Sequence, residues 1–512
     1  MTMKNIKVVS LLDMYVDLID NNEIQFLNSD SHLRNEIKKN ISELKEDFQK
    51  AENTAKEKEG DVSEYLDWAK THEHGRNLWK NLASASLNGI DKDSKGNSKL
   101  LDFLKAATEF EDLLYGLEQH YRDHTLHSLW VYFIGEYILR EKIPELTKDI
   151  NWYLINDIEA DKKMYSPDLV RNAKKKEKDL CKSVSEKKDS IWCLIALCHD
   201  LGYSLSKLSR LNEKAKNVLD FFDIPESRQI GYSIDVGHQF LVAQFLELMS
   251  MEVHIVPSSN LKEVLVKSFR DDSTYWRLCK SFEKKQHGIL SAYLIFKILE
   301  IFADAYVRGP AEEWGLEDIE SVQNLIRGDI LYSIAQHTFD YTYINEIGGF
   351  AEILMLSDEL EEFSRYGRKM LSRKYHDTAA EARIEIKKSK YKKQNVIDIE
   401  IVHEVAQNWI ISDFFIKKAH RFCQIFSLSQ QEGSDYLATK YFNIKSISIT
   451  AVQNDISCTF IINKNSTYEG HLPKSFDGKY NKGKYEMKSY DDKIVVIAGG
   501  QEIPLKDWFK KE

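Results

Sequence analysis

The dipeptide His199-Asp200 ends an apolar run, Trp192-Cys-Leu-Ile-Ala-Leu-Cys-His-Asp-Leu-Gly-Tyr203, in a chain of 512 residues. An imidazole beside a carboxylate at the end of a buried helix can ligate a single metal ion. Upstream, His120, His124 and His127 stand at i, i+4 and i+7, on one face of a helix. Downstream come Gln286-His-Gly-Ile-Leu-Ser-Ala292, Ile334-Ala-Gln-His-Thr338 and Met355-Leu-Ser-Asp-Glu-Leu. Each sets a His or Asp into an apolar helical pattern. Buried His and Asp are costly unless paired or metal-bound. Repeating them on successive helices is how a bundle builds an internal metal site.

The order His, then His-Asp, then His, His and a final Asp resembles the HD superfamily of metal-dependent phosphohydrolases. More distantly it resembles the deoxynucleoside triphosphate triphosphohydrolases. The likeness covers roughly residues 100–375. It implies that His127, His199, Asp200 and Asp358 hold one metal. His287 and His337 resemble the additional histidines of members with two metals, or of members whose histidines contact phosphate. One or two divalent ions are therefore expected, drawn from Mn, Fe, Co, Ni, Zn or Mg. Such an ion makes water nucleophilic near neutral pH and neutralises a phosphoryl group. His124, His287 and Asp200 are the expected catalytic groups. Arg122, Lys207 and Arg365 are the expected phosphate-binding cations, with Arg210 and Arg368 beside them in sequence. Asp123 is placed to orient a ligand histidine. Tyr203 departs from the triphosphohydrolase pattern, in which a histidine usually follows His-Asp-Leu-Gly, and His238 is the candidate substitute.

The function implied by the resemblance is hydrolysis of nucleotides, deoxynucleoside triphosphates first, in a setting such as antiphage defence. A cyclic mononucleotide or dinucleotide phosphodiesterase is the second reading. A nucleotide sensor or scaffold without turnover is the third. The resemblance also implies a homo-oligomer, with an activating nucleotide or a partner protein as further ligands.

The remainder of the chain must hold these residues in place. The net charge of −10 argues against a general nucleic-acid coat. Only 7 Pro and 22 Gly punctuate the chain, which predicts a mainly α protein. The apolar stretch from Gly288 to Val307 carries Lys297, Glu300 and Asp304, so it reads as a buried helix and not as a membrane span. The first residues show no secretory pattern, and the 6 cysteines form no CxxC pair. A cytoplasmic protein without a membrane partner is expected. Leu87 to Ser98 is polar and turn-rich. Helix after helix follows from Leu100 to about Ala382. Asp377 to Lys393 reads as a linker or a surface basic stripe, and Val402 to Leu428 as a helix. Period-two alternation then predicts strands at 444–452, 456–462, 485–490 and 493–497. The expected organisation is a helical N-terminal region (1–98), an HD-type helical bundle (99–395) and a small C-terminal α+β domain with an antiparallel sheet (396–512).

Overall fold

The computed structural model describes residues 6–58, 62–90, 96–114, 123–148, 155–156, 166–219, 236–257, 264–270, 272–299, 314–316, 318–339, 344, 346–362, 379–391, 394–407, 409–426, 442–463, 467–473, 483–490 and 493–509. Among them the N-terminal helices are α1 (Val8–Asp20), α2 (Ser31–Lys58), α3 (Val62–Tyr65) and α4 (Trp68–Ile90). Next come α5 (Asn97–Leu114), α6 (His124–Tyr137), α7 (Pro144–Lys148), α8 (Pro167–Ser185) and α9 (Lys188–Cys198). The central region continues with α10 (Tyr203–Leu219), α11 (Val236–Met249), α12 (Asp272–Glu283), α13 (His287–Ile298), α14 (Asp318–Gln336) and α15 (Phe350–Leu360). Two more helices, α16 (Ile411–Ile425) and α17 (Leu505–Trp508), lie among C-terminal strands.

α6 and α9 form the axis of the bundle. Every residue from His124 to Glu136 and from Asp189 to Cys198 is buried. A helix that is apolar on all sides is stable only when other elements surround it. Accordingly α1, α4 and α15 pack on α6, while α4, α14 and α15 pack on α9. Gly135 lets the two axial helices close, since an added Cβ would run into the Trp192 ring. The charged α2 is amphipathic. It buries Ile37, Ile41, Leu44 and Phe48 at spacings of four, three and four. Its Lys and Glu residues take the solvated face.

A mixed sheet follows the bundle. Its strands are β6 (Ala380–Tyr391), β7 (Gln394–Val405), β8 (Phe442–Gln453), β9 (Ile456–Asn463), β10 (Thr467–Leu472), β11 (Gly483–Tyr490), β12 (Lys493–Ala498) and β13 (Gln501–Pro504), adjacent in that order. Neighbours are antiparallel except β7 and β8, which are parallel. The reason is the intervening helix α16: a parallel pair needs a crossover longer than a hairpin turn. The sheet reaches into the bundle, because β5 (Glu346–Ile347) pairs with the start of β8. The Ile6 amide also donates to the Ala382 carbonyl, at 2.8 Å. One continuous apolar core runs through both regions.

The protein is thus mainly helical with a C-terminal α+β region, and the four expected strands are present as β8, β9, β11 and β12. Other expectations are corrected. Within Asp377 to Lys393, the described residues form β6. There Ala380, Ala382 and Ile384 alternate inward while Arg383 pairs outward with Glu404, at 3.0 Å. A run of charges on one face of an edge strand had the composition of a linker. The helix expected from Val402 starts at Ile411, since Val402–Val405 ends β7. The helical region is also interrupted. β1 (Ile155–Asn156), β2 (Met251–Pro257), β3 (Val264–Arg270) and β4 (Trp314–Leu316) form a separate sheet. Leu87–Ile90, expected to be part of a turn-rich stretch, belong to α4, and residues 91–95 lie outside the described residues.

Candidate metal centre

Five segments converge on Asp200. α6 supplies His124 and His127, and its first turn is capped by Asp123, whose Oδ1 accepts from the Leu126 amide at 2.8 Å. The apolar α9 ends at His199, and Asp200 occupies the turn that follows. His287 is the first residue of α13, His337 lies just beyond α14, and Asp358 stands in the last turn of α15. Two glycines allow the close approach. An added Cβ at Gly202 would come within 2.5 Å of the His287 carbonyl oxygen and the Ser291 nitrogen. At Gly288 it would come within 2.6 Å of the Thr338 hydroxyl and 2.9 Å of the His337 ring.

The Asp200 carboxylate divides its oxygens between two histidine pairs. Oδ2 lies 3.5 Å from Nε2 of both His127 and His199. Oδ1 lies 3.2 Å from His287 Nε2 and 3.5 Å from His337 Nε2. Within the first pair the Nε2 atoms are 3.2 Å apart, and within the second 3.3 Å. Asp358 Oδ1 joins the first group, 3.1 Å from His127 Nε2. In each of the sets His127, His199, Asp200 and Asp200, His287, His337, potential ligand atoms lie within 4.8 Å of one another.

Hydrogen bonding behind the rings turns their lone pairs inward. His199 Nδ1 donates to the Ala196 carbonyl at 2.8 Å, and His337 Nδ1 to the Ile334 carbonyl at 2.6 Å. His127 Nδ1 meets the fully buried Glu361 carboxylate at 2.7 Å. A carbonyl or carboxylate can only accept, so the proton belongs on Nδ1 and Nε2 is left bare. In the first pair two bare nitrogens therefore face each other, which is unfavourable unless a cation lies between them. Burial pushes His199 down to about 3, with the His337 and His127 charges adding and Asp200 opposing, so the ring stays neutral. Burial alone would raise the Asp200 carboxyl. The neighbouring imidazoles, His199 first and then His287 and His337, outweigh it and hold the group well below the usual range, as an anion. Neutral imidazoles around carboxylates are a donor set that could hold a divalent ion.

The sequence-derived residues have different fates. His124, His127, His199, Asp200, His287, His337 and Asp358 come together. His124 sits at the edge, with Nε2 3.9 Å from Asp200 Oδ2. Its ring packs on Tyr203 at 4.1 Å, and Tyr203 meets His287 edge-on at 5.2 Å. Tyr203 thus fills the space between the two imidazoles. Lys207 is buried, its ammonium 4.4 Å from the centre of the Tyr203 ring. A small cavity beside His124 and Asp200 is also lined by Trp79, Leu104, Ser128 and Ser204. His120, Arg122, Arg365 and Arg368 lie outside the described residues, as do the side chains of Arg210 and His238. The expectation for Asp123 is corrected: it caps α6 and pairs with His72, and it is Glu361 that meets His127 Nδ1. Glu361 escaped the sequence reading. Its signal was the spacing of three from Asp358, which puts both carboxylates on one side of a helical turn. Among the described residues no helix is long and apolar enough to cross a membrane. No family model, curated protein or solved structure matches this chain.

Proposed function

We propose that this protein is a metal-dependent phosphohydrolase acting on nucleotides, with deoxynucleoside triphosphates as the leading substrate class. The observation that carries the reading is Asp200, whose two oxygens each face a separate pair of histidines. A carboxylate shared in this way suits two ions held side by side. His127, His199, Asp200 and Asp358 would hold one, and Asp200, His287 and His337 the other. When bound, such ions supply a nucleophilic water and neutralise phosphoryl oxygens.

The remaining groups support the same chemistry. His124 stands beside the ligand cluster without belonging to either set, with Nε2 3.9 Å from Asp200 Oδ2, and is the candidate proton donor to a leaving oxygen. Lys207 brings a buried ammonium next to Tyr203, within the same neighbourhood, as a partner for phosphate. The second pair of histidines favours a second reading, a phosphodiesterase for cyclic nucleotides. Tyr203 favours it too, since it replaces the histidine usual in the triphosphohydrolases.

The test is incubation of the purified protein with Mn and a panel of deoxynucleoside triphosphates, ribonucleoside triphosphates and cyclic nucleotides, followed by chromatography. Nucleoside plus tripolyphosphate is the expected result, and loss of activity after chelation should accompany it. Linear phosphates from cyclic substrates would establish the second reading. Nucleotide binding without any product would reject hydrolysis and leave a sensor.

A further inference from the structure

The last turn of α15 and the two residues after it carry four carboxylates: Asp358, Glu359, Glu361 and Glu362. A helix C-terminus is the wrong end for negative charge, because the macrodipole is already negative there. The turn resolves this by facing two ways. Asp358 and Glu361 face His127, one at Nε2 and the other at Nδ1. Glu359 and Glu362 face the helix α16, which packs on β8 and β9 of the C-terminal sheet. There Lys418 Nζ lies 2.9 Å from Glu359 Oε2, 2.7 Å from the Glu359 carbonyl and 2.6 Å from Glu362 Oε1. Arg421 Nε donates to Glu359 Oε1 at 2.8 Å, and its Nη2 donates to the His337 carbonyl at 3.1 Å. Lys418 and Arg421 are thus one turn apart on α16, and together they reach segments bearing ligands of both histidine pairs.

We propose that Lys418 and Arg421 are positioning residues for the metal centre, so that the C-terminal region is a structural half of that centre. The inference rests on the reading of Asp200 and its histidines as a metal site. Neither cation is a ligand. Lys418 neutralises and ties down Glu359 and Glu362, which holds Asp358 and Glu361 against His127. Arg421 ties the same Glu359 to the backbone of His337, and so links the first group to the second. Removing the Lys418 charge takes one cation from two buried carboxylates, leaving Glu359 to Arg421, and the turn shifts to hydrate them.

Calorimetric titration of Mn into the metal-stripped full-length protein tests this. Lys418→Gln and Arg421→Gln should each weaken Mn binding about 10–100-fold, as expected for groups that orient ligands from behind. Arg421→Gln should act more on the second binding step, and Lys418→Arg should restore most of the affinity lost in Lys418→Gln. Arg140→Gln is the control. It breaks a similarly buried cluster with Glu136 and Asp189, at 3.2 and 2.8 Å, away from the ligands. It should lower the melting temperature and leave Mn affinity intact. Wild-type affinity in both Lys418→Gln and Arg421→Gln, with only their melting temperatures lowered, would overturn the proposal. If Lys418→Gln does not fold, the partly exposed Arg421→Gln decides alone. Absence of Mn binding in the wild type would overturn the metal-centre reading itself, and this inference with it.

Discussion

The two histidine pairs around Asp200 are built differently. His127 and His199 have no exposed side-chain surface, whereas His287 is 29% exposed. The first pair has a second carboxylate in Asp358 and an anionic anchor behind it in Glu361. The second pair has Asp200 as its close carboxylate, and His337 is anchored by a neutral backbone carbonyl. More negative charge and less water strengthen electrostatic attraction to a cation. On the proposed reading the first pair would be the tight site and the second, with the more exposed His287, the exchangeable one.

The most direct way to break this contrast is Asp200→Asn. The residue serves both pairs, so the variant should lose all bound metal by elemental analysis and all turnover. Retention of one equivalent would mean that the pairs are independent. Glu361→Gln comes next and acts on the first pair alone. It replaces an anionic anchor by a neutral one and should weaken the tighter binding step about 10–100-fold. An unchanged first step would show that burial, and not the anchor, sets the affinity. Gly202→Ala addresses the other side. The added Cβ pushes on the His287 segment, an overpacking cost of about 1–3 kcal/mol. The second binding step should weaken while the first stays as in the wild type.

The smallest effect sharpens the contrast by asking whether burial alone makes a histidine special. His403, in β7, is fully buried and packs on Phe414. Burial, reinforced by Lys418 and opposed by Glu362 and Glu359, pushes it down to about 3. The unfolded ring takes up a proton near 6.5 that the native ring refuses. Stability is therefore full above that pH and falls as pH drops from 6.5 toward 3. His403→Phe removes this loss. Between pH 7.5 and 5.5 the variant should gain about 1.4 kcal/mol on the wild type in denaturant melts. A constant difference across that range would show that His403 protonates in the folded protein.

Legibility followed chemistry more than length. His127, His199, Asp200, His287, His337 and Asp358 stood out because each is a polar residue set in an apolar helical pattern, a costly placement with few uses. Glu361, Lys418 and Arg421 sit in charged stretches where nothing distinguishes a buried ion pair from a solvated surface. β6 failed for the same reason, since alternation of Ala and Ile with Arg, Glu and Lys has the composition of a linker. β2 was missed because Met251–Pro257 follows a long helix and is too short to show its own period against it.

By itself, then, the sequence determined which residue types could meet a metal, in what order along the chain, and that helices would carry most of them. Side-chain chemistry and local periodicity are enough for that. Tertiary structure alone decided that one carboxylate would face two histidine pairs. It also decided that Asp123 would cap a helix while Glu361 anchored His127. Finally, it brought two cations from the C-terminal helix, some sixty residues further on, to the same turn as Asp358. Those outcomes depend on which helical faces meet, which follows from how the whole core packs.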